Sequence, residues 1–412
     1  MFKKIFAVIN AILFISFSKL SFLVDIHAGN LISLEEKIGQ MICLDLRYLD
    51  NGSAITKIDE KTKPLITKLI KKYNVGGFIL FNSWFHNNLK NESQSRKLIA
   101  DLQKIAIELG KPPLLICVDQ EGGIVERFNF NRAKLKNNIN VRTVKEAYEK
   151  GLIIGKEMKD LGFNCNFAPV VDVNSNPKNP VIGPRSFGND AYDVSRKSVA
   201  FMNGLHEYGI LATAKHFPGH GDTCVDSHLE LPVVKKNKIE IEKLELIPFK
   251  EMIKNGVDII MTAHISMPKI DSTKVISKKD GKKISLPATL SKVVLTDLLR
   301  KELNFSGLIM TDALVMKAIS ENFGSAESVA LAISAGADII LMPTLLKNEQ
   351  QIDEKLGEIY NLVINKVNKG EIDEKQIDDS YNRIIKLKKK FVLLPNITRQ
   401  EAKKVVLKKV NL

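Results

Sequence analysis

The chain is poor in the residues that mark several common protein classes. Only four of its 412 residues are cysteine, at positions 43, 117, 165 and 224. They lie far apart and form no Cys-x-x-Cys pair, which argues against a zinc ribbon, a thioredoxin-type motif or a disulfide framework. Cys43, Cys117 and Cys165 fall in apolar runs that read as strands, so buried thiols are expected there. Tryptophan occurs once, as Trp84, and no basic stripe is interleaved with aromatics. The net charge of +14 therefore does not read as a nucleic-acid surface. The lysines are spread along the chain, with short clusters such as 386–390, and suit a solvated surface near an anionic wall or membrane. No Gly-rich dinucleotide fingerprint follows the first strand. Internal repeats and low-complexity linkers are also missing. Histidine is scarce as well, at seven residues, and that scarcity makes its placement informative.

Three of the seven fall in Ala214-Lys215-His216-Phe217-Pro218-Gly219-His220-Gly221-Asp222-Thr223-Cys224-Val225-Asp226-Ser227-His228. The apolar run 209–214 before it reads as a buried strand. The stretch is therefore a long loop leaving the carboxyl end of a strand, where a rigid scaffold commonly carries chemistry. The residues alone leave three readings. One is a polar turn with satisfied histidines. Another is a metal site with His216, His220, Asp222, Asp226 and His228 as ligands. The third is an acid/base histidine, His228, oriented by the carboxylate of Asp226. Pro218 and the glycines at 219 and 221 let the segment swing or turn tightly. The loop is expected to be mobile and to close over a bound ligand.

Residues 1–28 read as an export signal: Lys3 and Lys4, a short apolar run over 5–17, and Ile26-His27-Ala28 before Gly29. The alternative is an uncleaved anchor, the one route to membrane association. Residues 29–392 then alternate strands with helices. Strands are expected at 40–46, 77–81, 114–119, 164–172, 212–216, 258–264, 307–312 and 338–342. Helices are expected at 61–72, 93–109, 144–161, 194–207, 239–255, 291–302 and 326–335, with helical periodicity again over 358–392. The strands are short and apolar, as parallel strands buried on both faces should be. Eight of them point to a TIM-like (β/α)8 barrel in a single catalytic domain, with a doubly wound sheet as the alternative. Residues 393–412 form a basic C-terminal tail. Polar residues end several strands: Asp119, Asp172, Lys215 with His216, His264 and Asp312. Buried strands do not need them to fold, and barrel chemistry sits at that end.

The run from Lys215 to Thr223, followed by Asp226-Ser227-His228, resembles the signature loop of the β-N-acetylglucosaminidase branch of glycoside hydrolase family 3. The resemblance implies His228 as acid/base, Asp226 as its partner, and Lys215 and His216 as sugar-holding residues. Gly307-Leu308-Ile309-Met310-Thr311-Asp312-Ala313-Leu314 is similar to the family's nucleophile strand and implies Asp312 as the nucleophile of a retaining mechanism. Asp119-Gln120-Glu121-Gly122-Gly123 with Arg127, and Ile182-Gly183-Pro184-Arg185-Ser186-Phe187, match two further family segments. They imply Asp119, Arg127 and Arg185 in the sugar pocket. Residues 372–385 resemble the family's closing helix. Two positions depart from the pattern: Ile124 stands where many members carry Arg, and Pro184 where they often carry Asp.

The activity so implied is an exported, exo-acting β-N-acetylglucosaminidase with no metal and no cofactor. Its substrate would be a β-linked N-acetylglucosamine glycan or muropeptide from peptidoglycan, with no nucleic-acid partner. A phosphorylase of the same fold is the alternative within the class. A metal-dependent hydrolase and a non-catalytic wall-glycan-binding protein are the alternatives outside it. The first would leave Asp312 and Arg185 without a role; the second would not need Asp226, His228 and Asp312 together.

Overall fold

The structure, a computed structural model, describes residues 32–82, 86–224 and 231–391. The N-terminal segment 1–28, the tail 393–412, Trp84, Asp226 and His228 lie outside the described residues. Eight short parallel strands form the sheet, each buried on both faces: β1 (Ile42–Asp45), β2 (Gly77–Ile79), β3 (Leu115–Val118), β4 (Cys165–Asn166), β5 (Leu211–Phe217) and β6 (Ile259–Thr262), then, after an inserted hairpin of β7 (Lys274–Ile276) and β8 (Lys283–Ser285), β9 (Leu308–Met310) and β10 (Ile340–Leu341). Their order is β10-β1-β2-β3-β4-β5-β6-β9. A parallel bridge from Met310 to Ile339 joins β9 to the approach of β10 and completes the ring. This is the (β/α)8 barrel expected from the alternation of elements.

Local chemistry explains the helices between the strands. The helix Val144–Leu161 starts where the Thr143 side chain accepts from the Glu146 N–H, and it ends at Gly162 with φ 94°. Asp190 caps Ala191–His206 in the same way, through the Asp193 N–H. Ser33 accepts from the Glu36 N–H at 3.2 Å and starts Leu34–Gln40.

Several elements differ from the sequence expectation, three of them for a plain local reason. The strand expected at 164–172 pairs only at Cys165–Asn166, with an isolated bridge from Val170 to Lys215. Pro169 has no N–H, so the ladder cannot run through it. The helix expected at 239–255 is two, Lys238–Glu242 and Leu246–Lys254. Pro248 sits in the first turn of the second, where its missing N–H is tolerated; a continuous helix would put its ring against the carbonyl four residues back. The β7–β8 hairpin was not expected at all. Its exposed Lys-rich strands hide the alternation, although Asp280-Gly281 between them is a turn signal.

Cys43, Cys117 and Cys165 are buried and free, as expected, while Cys224 is exposed. The amino-terminal end of the barrel is closed by a buried ionic cluster around Asp338. Its carboxylate accepts from Arg300 Nη2 at 2.7 Å, Arg383 Nε and Nη2 at 2.9 and 2.8 Å, Ser380 Oγ at 2.8 Å and the Ile309 N–H at 2.8 Å. Arg383 and Ser380 belong to the helix Glu374–Phe391, so this cluster fastens that helix to the barrel. Lys388 of the same helix is buried too, with Nζ donating to Gln40 Oε1 at 2.7 Å and the Gly76 carbonyl at 2.8 Å. Replacing Asp338 by Ala would strand two guanidinium groups. Breaking a buried ion pair on one side costs about 3–5 kcal/mol. We expect Asp338→Ala to lower the urea-unfolding free energy by roughly 3 kcal/mol or more, measured by far-UV circular dichroism; a loss below 1 kcal/mol would contradict the role given to the cluster.

Candidate active site

A cavity of about 470 Å³ opens at the carboxyl ends of the barrel strands. That volume suits a small ligand such as one sugar ring with part of a second. Segments that follow the strands deliver most of its walls: Arg47 after β1, Phe81 after β2, Asp119, Glu121 and Arg127 after β3, and Arg185 from the longer connection after β4. Lys215 and His216 come from β5, His220 from just beyond it, and Asp312 follows β9.

The centre of the site is a chain of buried charges. Lys215 Nζ lies 2.8 Å from Asp119 Oδ1 and 2.8 Å from Glu121 Oε1. Arg185 grips the same Glu121 with two bonds, Nη2 to Oε1 at 2.8 Å and Nε to Oε2 at 3.0 Å. Such a fork is the strong form of an Arg–carboxylate pair. Burial pushes the Glu121 carboxyl up, but Arg185 and Lys215 outweigh it and hold the group well below the usual carboxylate range. Burial likewise favours a neutral Lys215, yet Asp119 and Glu121 raise its affinity for the proton, and the ammonium is kept. Arg127 Nη2 stands 3.8 Å from Asp119 Oδ2. Arg47 and Arg127 share the ring of Phe81, at 3.8 and 5.6 Å from its centroid.

A second buried carboxylate, Asp172, arranges the histidines. Its Oδ2 accepts from His216 Nδ1 at 2.7 Å, and Oδ1 accepts from the His220 backbone N–H at 2.7 Å. Burial pushes Asp172 up; His216 and His220 bring it below its ordinary value. An ionised Asp172 fixes the proton of His216 on Nδ1 and leaves Nε2 for the cavity. Burial, with His216 adding to it, lowers His220 to about 4, so this ring is neutral at physiological pH.

Asp312 is the remaining carboxylate. Burial pushes it up, but His264, His216, the Ala313 N–H and Lys215 bring it down to about 2. The Ala313 N–H donates to Asp312 Oδ1 at 2.7 Å. An ionised carboxylate thus stands at the end of β9 with no salt bridge within 4 Å among the described residues.

The first part of the loop is not loose. Residues 217–221 are buried. A Cβ at Gly221 would lie 1.7 Å from the Val173 carbonyl oxygen, and one at Gly219, where φ is +129°, would lie 2.7 Å from Glu245 Cβ. These glycines permit close packing where a swinging segment was expected. Asn179 Nδ2 also ties down the carbonyls of His220 and Gly221, at 2.8 and 3.1 Å. Residues 225–230, with Asp226 and His228, lie outside the described residues.

Asp119, Arg127, Arg185, Lys215, His216 and Asp312, all expected from the sequence, line this one cavity. The partner of Arg185 is the buried Glu121. Glu121 stood in a quoted motif without a role, and it proves to be the hub of the cluster. Arg47 and Phe81 were not foreseen. Asp45-Leu46-Arg47, charges closing an apolar strand, was the available signal. Ile124, one of the departures, is exposed. Among the described residues no three His, Cys, Asp or Glu side chains are grouped as a metal ion would need. Asp222 instead pairs with Lys236 at 3.1 Å.

Carboxylates and cations with hydrogen-bonding capacity facing a cavity, set around a carboxylate without a salt bridge among the described residues, make this a (β/α)8 barrel with a polar cleft at the carboxyl ends of its strands. Residues 33–387 match the N-terminal domain of glycosyl hydrolase family 3. The chain belongs to that family. It is 36% identical over 393 residues to beta-hexosaminidase A of Pseudoalteromonas piscicida, covering 90% of this chain and 64% of that one. It is 36% identical over 296 residues to a beta-hexosaminidase of Haemophilus influenzae, covering 69% and 78%. The family-3 β-N-acetylglucosaminidase structure from Paenibacillus sp. FPU-7 superposes with a TM-score of 0.76 at 38% identity, covering 88% of this chain and 63% of that one. The chain therefore spans less than two thirds of the Pseudoalteromonas and Paenibacillus proteins.

The buried carboxylates make a testable pH statement. Glu121 and Asp312 lie below their ordinary values of 4.5 and 3.8 when folded. The unfolded chain therefore binds their protons more readily. Their stabilisation is complete above those ordinary values and is lost as pH falls towards 2. We expect wild-type unfolding free energy to drop between pH 5 and pH 2, and Glu121→Gln to show a shallower drop over the same window. Equal slopes in urea titrations would show that Glu121 is not held ionised.

Proposed function

We propose that this chain is a retaining exo-β-N-acetylglucosaminidase, with Asp312 as nucleophile and the Asp226–His228 pair as acid/base. The observation that carries the reading is the ionised Asp312 in the same cavity as the Lys215–Asp119–Glu121–Arg185 cluster. A carboxylate meant only for structure would be paired there; this one is open to a ligand. The proteins named beta-hexosaminidase and β-N-acetylglucosaminidase that the chain resembles support the choice of sugar.

The reaction follows from the positions of the groups. Asp119 Oδ2 accepts from a sugar hydroxyl, Lys215 and Arg185 supply donors around the ring, and His216 Nε2 supplies an acceptor. With the ring so held, Asp312 Oδ forms a bond to the anomeric carbon as the bond to the leaving oxygen breaks. That oxygen takes a proton from His228. Neutral His228 then removes a proton from water, whose oxygen attacks the anomeric carbon, and the electron pair of the ester bond returns to Asp312. Asp226 stabilises the charged form of His228 in the first step. His228 and Asp226 enter by resemblance of the loop, since they lie outside the described residues.

Export and a peptidoglycan-derived substrate belong to the same proposal. The charged start and apolar run of residues 1–28 support export. Among the described residues no helix is long and apolar enough to cross a membrane.

Four outcomes check the reading. In a panel of chromogenic β-glycosides, the N-acetylglucosaminide should be cleaved at least tenfold faster than the glucoside, and preference for the glucoside would sink the proposal. Asp312→Asn should keep the fold and lose activity to below a few per cent. His228→Ala should lose about 10²–10⁴ in rate on substrates with poor leaving groups and far less on activated aryl glycosides. With inorganic phosphate added, the product should still be free N-acetylglucosamine; the sugar 1-phosphate would make the enzyme a phosphorylase.

A further inference from the structure

The reaction above gives His264 no role, yet this residue is buried and both its ring nitrogens are engaged. Nε2 lies 3.0 Å from the carbonyl oxygen of Ala313. A carbonyl can only accept, so Nε2 carries a proton. Nδ1 lies 2.9 Å from Thr289 Oγ1. That hydroxyl has one proton and two further neighbours at bonding distance, the Ala263 carbonyl at 3.0 Å and Thr262 Oγ1 at 2.8 Å.

Where the Thr289 proton goes decides the state of the ring. The Ala263 carbonyl has no other donor among the described residues. A buried carbonyl left without one is costly. If Thr289 donates to Ala263, it can only accept from Nδ1, and Thr262 donates to it in turn. Every proton then has an acceptor, and both ring nitrogens carry one. The neutral alternative, with Thr289 donating to Nδ1, leaves Ala263 unsatisfied.

A buried imidazolium needs a counter-charge, and Asp312, next in sequence to Ala313, supplies it. Of the groups that lower Asp312 against the effect of burial, His264 is the foremost, ahead of His216, the Ala313 N–H and Lys215. His220 also senses the Asp312 charge. The other ionisable groups on the cavity wall are Arg47, Asp119, Glu121, Arg127, Arg185 and Lys317. Asp119 and Glu121 are engaged with Lys215.

We propose that His264 stands as an imidazolium and is a positioning residue: it holds Ala313, whose N–H fixes Asp312, and its charge keeps the Asp312 carboxylate ionised. The inference rests on Asp312 being the nucleophile. A weakly basic carboxylate is ionised before the first step and leaves readily in the second, when the bond from Asp312 to the anomeric carbon breaks. His264 itself touches neither reacting atom.

Two measurements test this. The first is the pH profile of kcat/KM on an activated aryl N-acetylglucosaminide, for wild type and His264→Gln. The acid limb should move up by about one pH unit or more in the variant. A uniform loss at all pH values, with the limb unmoved, would mean that His264 only packs. The second is the ¹⁵N spectrum of histidine-labelled wild-type enzyme, with the His264 ring identified by its contacts to Ala313 and Thr289. Both nitrogens should be of the protonated type from pH 6 to 8, and one unprotonated nitrogen there overturns the proposal. This spectrum needs no variant to fold and no substrate to be cleaved. Failure of the nucleophile assignment shows separately, as retained activity in Asp312→Asn.

Discussion

Lys215 is a charged side chain inside a barrel, and the site depends on how that charge is met. Two carboxylates, Asp119 and Glu121, each hold its ammonium at 2.8 Å. Glu121 is in turn held in a fork by Arg185. Taking such groups out of water is costly unless each is paired and hydrogen-bonded. Here two cations meet two anions, with Arg127 3.8 Å from Asp119 beside them, and the cluster presents directed donors and acceptors to the cavity.

The same logic sets Asp172 and Asp312 apart. Both are buried carboxylates, and histidines lower both against the effect of burial. Asp172 spends its oxygens on His216 and on the backbone of His220, so it organises the loop. Among the described residues Asp312 keeps one oxygen without a hydrogen bond, its other oxygen accepting from the Ala313 N–H. Two chemically identical side chains thus separate into a scaffold and a reactant, because one is saturated with donors and the other is not.

The opposite end of the barrel repeats the pairing principle for stability. Asp338 gathers Arg300, Arg383, Ser380 and the Ile309 N–H, and so binds the helix Glu374–Phe391 to the strands. At the mouth Asp312 keeps bonding capacity left over, while at the base Asp338 has both oxygens engaged. That polarity is what a (β/α)8 barrel offers an enzyme.

The sequence points to the barrel, with a doubly wound sheet as its one rival. Eight apolar runs separated by amphipathic helices can bury both faces of a strand in few other ways. It also determined most of the cavity wall, because Asp119, Lys215, His216 and Asp312 sit directly at the ends of those runs. It did not determine who pairs with whom. Lys215 and Asp119 are 96 residues apart, and Arg185 and Glu121 are 64 apart. No local pattern records such a contact. Glu121 therefore read as one residue of a motif, and Arg47 as a charge after a strand. The breaks in the helix expected at 239–255 and in β4 were written in Pro248 and Pro169, but a proline forbids a hydrogen bond without saying which neighbour loses it. Only closure of the ring decided these matters. It brings strand ends from distant parts of the chain to one mouth, and there burial makes each charge find its partner.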